Sequence, residues 1–190
     1  FTENREEDRS MKFNLQFFAK DRTNMVSLLD IGSLFGGKTP KIVEMGDGFK
    51  EITEDWGPNT ESVQYVNMQN AANTVKGYAF SMSPARDYLS DEMQDCFDDI
   101  MKKFPTGADC ETYYYRYFKT DISNKTGECI RIPVTVCASG AGGSGGDTLT
   151  STVQINGNGD VELGTITIAG DGTFTWAPME SGYAVKSQQQ

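Results

Sequence analysis

Residues 111–121, ETYYYRYFKTD, place five aromatic side chains and one arginine in the six consecutive positions 113–118. Side chains alternate along a strand, so Tyr113, Tyr115 and Tyr117 share one face and Tyr114, Arg116 and Phe118 share the other. A strand with one solvated face shows a polar residue at every second position, and this one does not. Two arrangements satisfy it. Either both faces lie inside one subunit, or one face is covered by another chain.

The surrounding pattern sets the fold class. PKIVEMGDGFKEIT reads as two short strands around a hairpin-like turn at Gly46-Asp47-Gly48, and DWGPN breaks the pattern. ESVQYVNM and TVKGYAFSMS read as two further strands, the second placing Tyr78, Phe80 and Met82 on one face until Pro84. After the aromatic strand come a turn at SNKTG and the strand ECIRIPVTVCAS, in which Pro133 lacks a ladder donor and predicts an edge position or a bulge. GAGGSGGD reads as a loop. TLTSTVQI, VELGTITI and TFTWAP follow as strands with turns about ten residues apart, the spacing of a sandwich or barrel.

One segment, SDEMQDCFDDIMKKF, has helical periodicity. Met93, Cys96, Phe97, Ile100, Met101 and Phe104 fall on one face; Ser90 is the expected N-cap, and Lys102, Lys103 and Pro105 mark the end. Asp91, Asp95 and Asp99 form an acidic outer stripe, which is ordinary for a solvated face. The fold class expected is therefore mainly β with one α-helix: an antiparallel β-sandwich or barrel flanked by the helix. A length of 190 residues suits one such domain, at residues 25–178, with an N-terminal arm at 1–24 and a C-terminal tail at 179–190. Residues 1–10 read either as a translated leader before a start at Met11 or as a charged arm.

The formal charge of −10 argues against a domain that binds nucleic acid by neutralising phosphates, although not against a surface that DNA slides past. There is no histidine, and Cys96, Cys110, Cys129 and Cys137 contain no Cys-x-x-Cys pair, so the common zinc signatures and histidine-based triads are absent. The four cysteines read as reduced, partly buried thiols; the apolar patch in MKFNLQFFAK is interrupted by Asn14 and Gln16 and lacks a small-residue cleavage site, which makes it a poor signal peptide and points to maturation in the cytosol. Gly140-x-Gly142-x-x-Gly145 matches a dinucleotide fingerprint only formally, because a strand-like segment follows it. Asn156, Asn158 and Asp160 alternate as in a calcium loop, but Val161 stands where that loop needs glycine, and a tight turn explains them. No nucleophile is paired with a recognisable base. These features predict no enzyme, no cofactor, no metal and no membrane span.

Taken in order, residues 61–104, from ESVQYVNM through Gly77-Tyr78 to the acidic helix, followed by four or more strands, resemble the tail tube proteins (major tail proteins) of long-tailed bacteriophages and related contractile injection particles. MKFNLQFFAK also resembles the opening of many virion proteins of phages of Gram-positive hosts. The resemblance implies a structural virion protein assembled in the bacterial host cytoplasm. Six copies would close into a ring, and rings would stack into a conduit for double-stranded DNA and the tape measure protein. Tail terminator or baseplate proteins would be further partners. On this reading Tyr113, Tyr115 and Tyr117 face the subunit core beneath the helix, and Tyr114, Arg116 and Phe118 are the subunit-interface candidates, aromatics with arginine being the composition of an interface core. The alternatives are a capsid or head-tail joining protein, and a carbohydrate-binding β-sandwich.

Overall fold

A computed structural model describes residues 20–179. The possible leader at 1–10, Met11 and nearly all of the apolar stretch that it opens, and the C-terminal tail from residue 180 lie outside the described residues. The strands are β1 (Met25–Asp30), β2 (Ile42–Glu44), β3 (Phe49–Glu51), β4 (Pro58–Val63), β5 (Ala72–Tyr78), β6 (Ser81–Met82) and β7 (Ala85–Asp87). Helix α1 (Glu92–Lys103) follows, then β8 (Glu111–Ser123), β9 (Thr126–Gly142), β10 (Thr150–Gly157), β11 (Glu162–Ile168) and β12 (Phe174–Pro178). All pairings are antiparallel. One sheet runs β2-β1-β8-β9-β10-β7-β3, with β11 and then β12 added along β9, and β6 along β10. The fold is thus mainly antiparallel β with one helix, as the sequence predicts.

β8 and β9 form a long hairpin closed by two residues, Asn124 and Lys125, both with positive φ (49° and 64°), the backbone that matches strand twist in a tight turn. β9 then changes partner. Its first half, Thr126–Arg131, pairs with β11, and its second half, from Val134, pairs with β10. Pro133 falls between the two ladders and is held there by Asn158, whose N–H donates to the Pro133 carbonyl at 2.8 Å. The expectation of an edge strand or a bulge is therefore corrected: β9 is central, and its proline occupies the gap between successive partners.

This change of partner curls the sheet until β12 approaches β2. The curl creates two apolar clusters, one on each face. The first gathers Leu29, Met45, Phe80, Met82, Tyr114, Ile132, Val134, Val136, Val153 and Ile155 beneath Met93, Phe97 and Ile100 of α1. The second lies inside the curl: Val26, Leu28, Tyr115, Tyr117, Cys129 and Ile166, with Tyr113, Phe174 and Trp176 around it. Of the two arrangements open to the aromatic strand, the described subunit adopts the first for Tyr114, Tyr115 and Tyr117. The faces are reversed from expectation, however. Tyr114 lies beneath the helix, whereas Tyr115 and Tyr117 lie within the curl, where Tyr115 sits 6.3 Å from the Trp176 ring.

The turn at Gly46–Gly48 also differs from expectation. β2 pairs with β1 and β3 with β7, so the two short strands belong to opposite ends of the sheet rather than to one hairpin. The helix boundaries are legible but shifted by a residue. Asp91, not Ser90, is the N-cap and accepts the Gln94 N–H at 2.9 Å; Phe104 closes the other end in a left-handed conformation that turns its ring out to 70% exposure.

Asp91 has a second partner that explains why it wins the cap. Arg86 on β7 is buried, and its guanidinium forms two bonds to the Asp91 carboxylate, at 2.7 and 2.6 Å, and a third to the Asp47 carbonyl at 3.0 Å. Its flat face lies 5.2 Å from the Phe49 ring centre. One ion pair thus ties the helix start, β7 and the Gly46–Gly48 turn together. Asp91→Asn keeps a capping acceptor but leaves Arg86 without its counter-charge, and is expected to cost about 2–3 kcal/mol in urea melts. The Arg86 guanidinium holds the Asp91 carboxyl below its ordinary value. Its contribution is therefore complete above the unfolded carboxyl value, near about pH 4, and is lost as pH falls through the lower folded value. Acid melts of the wild type should show that loss, and those of Asp91→Asn should lack it.

Candidate functional site

Strands β4 and β5 pair only with each other, from Pro58–Tyr78 at the base to Val63–Ala72 near the tip, and form a two-stranded sheet apart from the main one. Almost every residue on them is exposed. Such a hairpin has no core of its own, and isolated two-stranded hairpins are marginal in water. It nevertheless carries apolar side chains into solvent: Tyr65 and Val66 at the tip, Val75 on β5 and Tyr78 at the base. Polar bonds shape the tip, with Met68 N–H donating to the Tyr65 carbonyl at 2.9 Å and the Gln64 amide donating to the Met68 carbonyl at 3.2 Å. The cross-strand pair Lys76–Glu61 is exposed on both sides and contributes little.

The root of this arm is built differently. Asp55 and Ser81 exchange backbone bonds of 2.9 and 2.7 Å, and Ala79 N–H donates to the Gly57 carbonyl at 3.1 Å. Gly57 has φ +28°, and a Cβ there would stand 3.0 Å from the Ala79 carbonyl oxygen, so a side chain would press on the base of the arm. Trp56, Phe80 and Tyr114 form an aromatic column, with ring centres 5.0 and 5.6 Å apart. A groove of about 340 Å³ opens beside it, lined by Trp56, Tyr78, Phe80, Ile132, Gly159 and Val161 among others.

Glu54 sits at the centre of the root. Its side chain is only 5% exposed. The Tyr114 hydroxyl donates to it at 2.7 Å, Arg116 Nη1 at 2.9 Å and Trp56 Nε1 at 3.2 Å. A buried carboxylate requires this many donors, because an uncompensated charge there would cost far more than any one bond returns. Ser27 on β1 shares the Tyr114 hydroxyl at 2.9 Å. Burial, reinforced by the neighbouring Glu54 charge, pushes the Tyr114 hydroxyl well above the ordinary tyrosine range, so it remains a donor at physiological pH. Strand β8 therefore holds the arm through Glu54.

The structure thus brings two of the three interface candidates to one carboxylate. Tyr114 is fully buried within the subunit and offers no surface to a neighbour, which corrects the reading taken from strand alternation. Arg116 is 26% exposed, and its charge is engaged by Glu54 within the subunit. Phe118 lies further along the same face, half-buried, with Lys20 Nζ 4.4 Å and the Arg116 guanidinium 5.8 Å from its ring centre. Glu54 and Trp56 escape sequence reading because they lie in the segment that looks like a break between strands.

The segment Gly140–Gly145 runs from the end of β9 toward β10 and meets no helix N-terminus that could hold a pyrophosphate. Among the described residues, no group of three or more His, Cys, Asp or Glu side chains is placed to hold a metal ion, and no helix is long and apolar enough to cross a membrane.

No protein-family model matches the sequence, and no curated protein matches it significantly. Solved structures do match. A chain from the virion of a native gene transfer agent particle superposes with a TM-score of 0.53 at 11% identity, covering 76% of this chain and 98% of that one. A chain from the tail of an empty gene transfer agent particle, refined helically with C6 symmetry, gives 0.53 at 13% identity with the same coverage. At these identities the likeness is one of fold, and it bears out the expected mainly antiparallel β architecture with one helix, shared with chains of tailed particles.

Arg116→Glu would set a second carboxylate against buried Glu54. It should destabilise the isolated subunit by about 2–4 kcal/mol, with part of the loss regained in the double variant with Glu54→Gln, whose amide can donate to the new carboxylate while its oxygen still accepts from Tyr114 and Trp56. Urea melts of the single and double variants measure this coupling.

Proposed function

We propose that the chain is a structural subunit of a phage-type tail, in which six copies close into a ring and rings stack into a tube. The carrying observation is the fold match: nearly the whole length of a chain from a C6-symmetric tail superposes on this one. The exposed hairpin is a second support. It places Tyr65, Val66 and Val75 in water on an element with no core, and a neighbouring copy that covered them would remove that exposure. In this reading residues 25–178 form the tube domain, with an arm at 1–24 and a tail at 179–190.

The tube is a conduit for double-stranded DNA and a tape measure protein, capped by terminator or baseplate proteins and assembled in the host cytoplasm. A formal charge of −10 suits a lining that DNA passes without sticking, since acidic side chains outnumber basic ones. The role is structural rather than enzymatic. Of the original interface candidates, the open side of Arg116 and the half-buried Phe118 remain available to a neighbour, with Tyr114 acting behind them to fix their strand.

Negative-stain images of the purified chain, alone and with a nucleating tail fraction, should show rings or tubes. Monomer alone under both conditions at micromolar concentration would count against assembly. Replacing both Tyr65 and Val66 with Ser should leave the melting temperature of the monomer unchanged, because neither residue is buried, yet reduce ring formation at least tenfold.

A further inference from the structure

NGNGD, residues 156–160, contains both Asn-Gly pairs of the chain, and the fold treats them differently. An asparagine followed by glycine is chemically labile, because the glycine nitrogen, with no side chain beside it, can reach the asparagine Cγ and close a ring. The attack needs an asparagine side chain and a following peptide nitrogen that are both free to turn. Asn156, the penultimate residue of β10, is paired with Thr135 on one side and Ser81 on the other. Its nucleophile is held as well: the Gly157 N–H donates to the Phe80 carbonyl at 2.8 Å. Its Oδ1 accepts from the Gln154 amide at 3.1 Å. Asn158 lies beyond the end of β10, and both it and Gly159 are exposed. Among the described residues, the Gly159 N–H donates to no protein acceptor. The Asn158 amide donates to the Glu111 carboxylate at 3.3 Å, a long bond open to water.

We infer that Asn158 is a self-modification site, which converts to isoaspartate and aspartate in the folded subunit while the fold protects Asn156. The Gly159 nitrogen attacks Asn158 Cγ. A C–N bond forms as the Cγ–Nδ2 bond breaks, and the proton of the attacking nitrogen leaves with ammonia. Water then opens the resulting succinimide. Cleavage of the new bond to Cγ gives aspartate; cleavage of the bond to the main-chain carbonyl carbon gives isoaspartate, in which the main chain runs through Cγ. One water is consumed for each ammonia released, and nothing is oxidised or reduced. The position gives the change an effect. The Asn158 N–H anchors the Pro133 carbonyl, and β11 then opens with Glu162 opposite Arg131. Isoaspartate inserts an extra main-chain carbon between these two fixed points, and a carboxylate replaces the amide that donates to Glu111. The turn is apart from the hairpin and Glu54, so the inference stands or falls independently of assembly.

The full-length chain should be held at physiological temperature in mildly alkaline buffer and sampled over time. Ion exchange separates forms that have gained a negative charge, and peptide mass spectrometry with electron-transfer fragmentation distinguishes isoaspartate from aspartate. The expected result is a gain of about 1 Da confined to residue 158, with isoaspartate the larger product. In urea, where the Gly157 N–H is released, Asn156 should react as fast as Asn158. The isolated isoaspartate form should melt about 2–4 °C below the parent. Asn158→Gln keeps an amide donor but must close a larger ring; it should retain the parent's melting temperature and yield no acidic form over the same period. Loss of Asn156 at the rate of Asn158 in the folded chain, Asn156 remaining slower in urea, aspartate without isoaspartate, or no acidic form at all would overturn the inference. An isoaspartate form that melts like the parent would overturn its effect on the turn.

Discussion

The backbone hydrogen bonds of β9 are the constraint on which the rest of this structure depends. One edge of the strand is given to β8 and the other is divided between β11 and β10. A strand that serves two partners in succession must turn between them, and the turn makes one sheet behave as two packed layers. That is why the aromatic strand can be apolar on both sides without a second chain. Tyr114 joins the cluster beneath the helix, stacked on Phe80, and Tyr115 and Tyr117 join the other, with Val26 and Leu28 of the adjacent β1, Ile166 of β11 and Phe174 and Trp176 of β12. The helix contributes coverage for only one of these faces, and the curl supplies the other.

Much of this was legible in the sequence, and the failures have physical causes. The helix, the β8–β9 hairpin and the last three strands follow from local signals: 3.6-residue periodicity, left-handed turn residues and two-residue alternation. Strand pairing does not follow from such signals. Phe49–Glu51 looks like the second half of a hairpin with Ile42–Glu44, but Arg86 on β7 and its carboxylate partner draw it to the far end of the sheet. Likewise, alternation separates Tyr114 from Tyr115 without saying which side the helix takes. A single strand carries no information about which face receives which layer when both are apolar.

The candidate site was the least legible part. Arg116 stood out as a charge among aromatics, and its placement beside a buried carboxylate follows from the same argument that made it conspicuous: a cation on an apolar face needs an anion. The anion, Glu54, lies 62 residues earlier in a segment without periodicity, and only the tertiary fold identifies the pair. The hairpin posed the opposite difficulty. Its sequence reads as two ordinary strands, and nothing local announces that they leave the main sheet and stand in solvent.

Pro133 has a consequence beyond bending its strand. Because it has no N–H, the position can never serve as a donor to either neighbouring ladder, and because its carbonyl is held by Asn158, it is also anchored to the turn joining β10 to β11. β10 and β11 each stop against it from opposite directions. A slip of one residue by either would move that strand's buried side chains to the wrong face and carry a ladder bond onto a residue that cannot complete it. The proline is thus a register stop, a fixed zero from which the pairing of the whole β-rich half of the chain is counted.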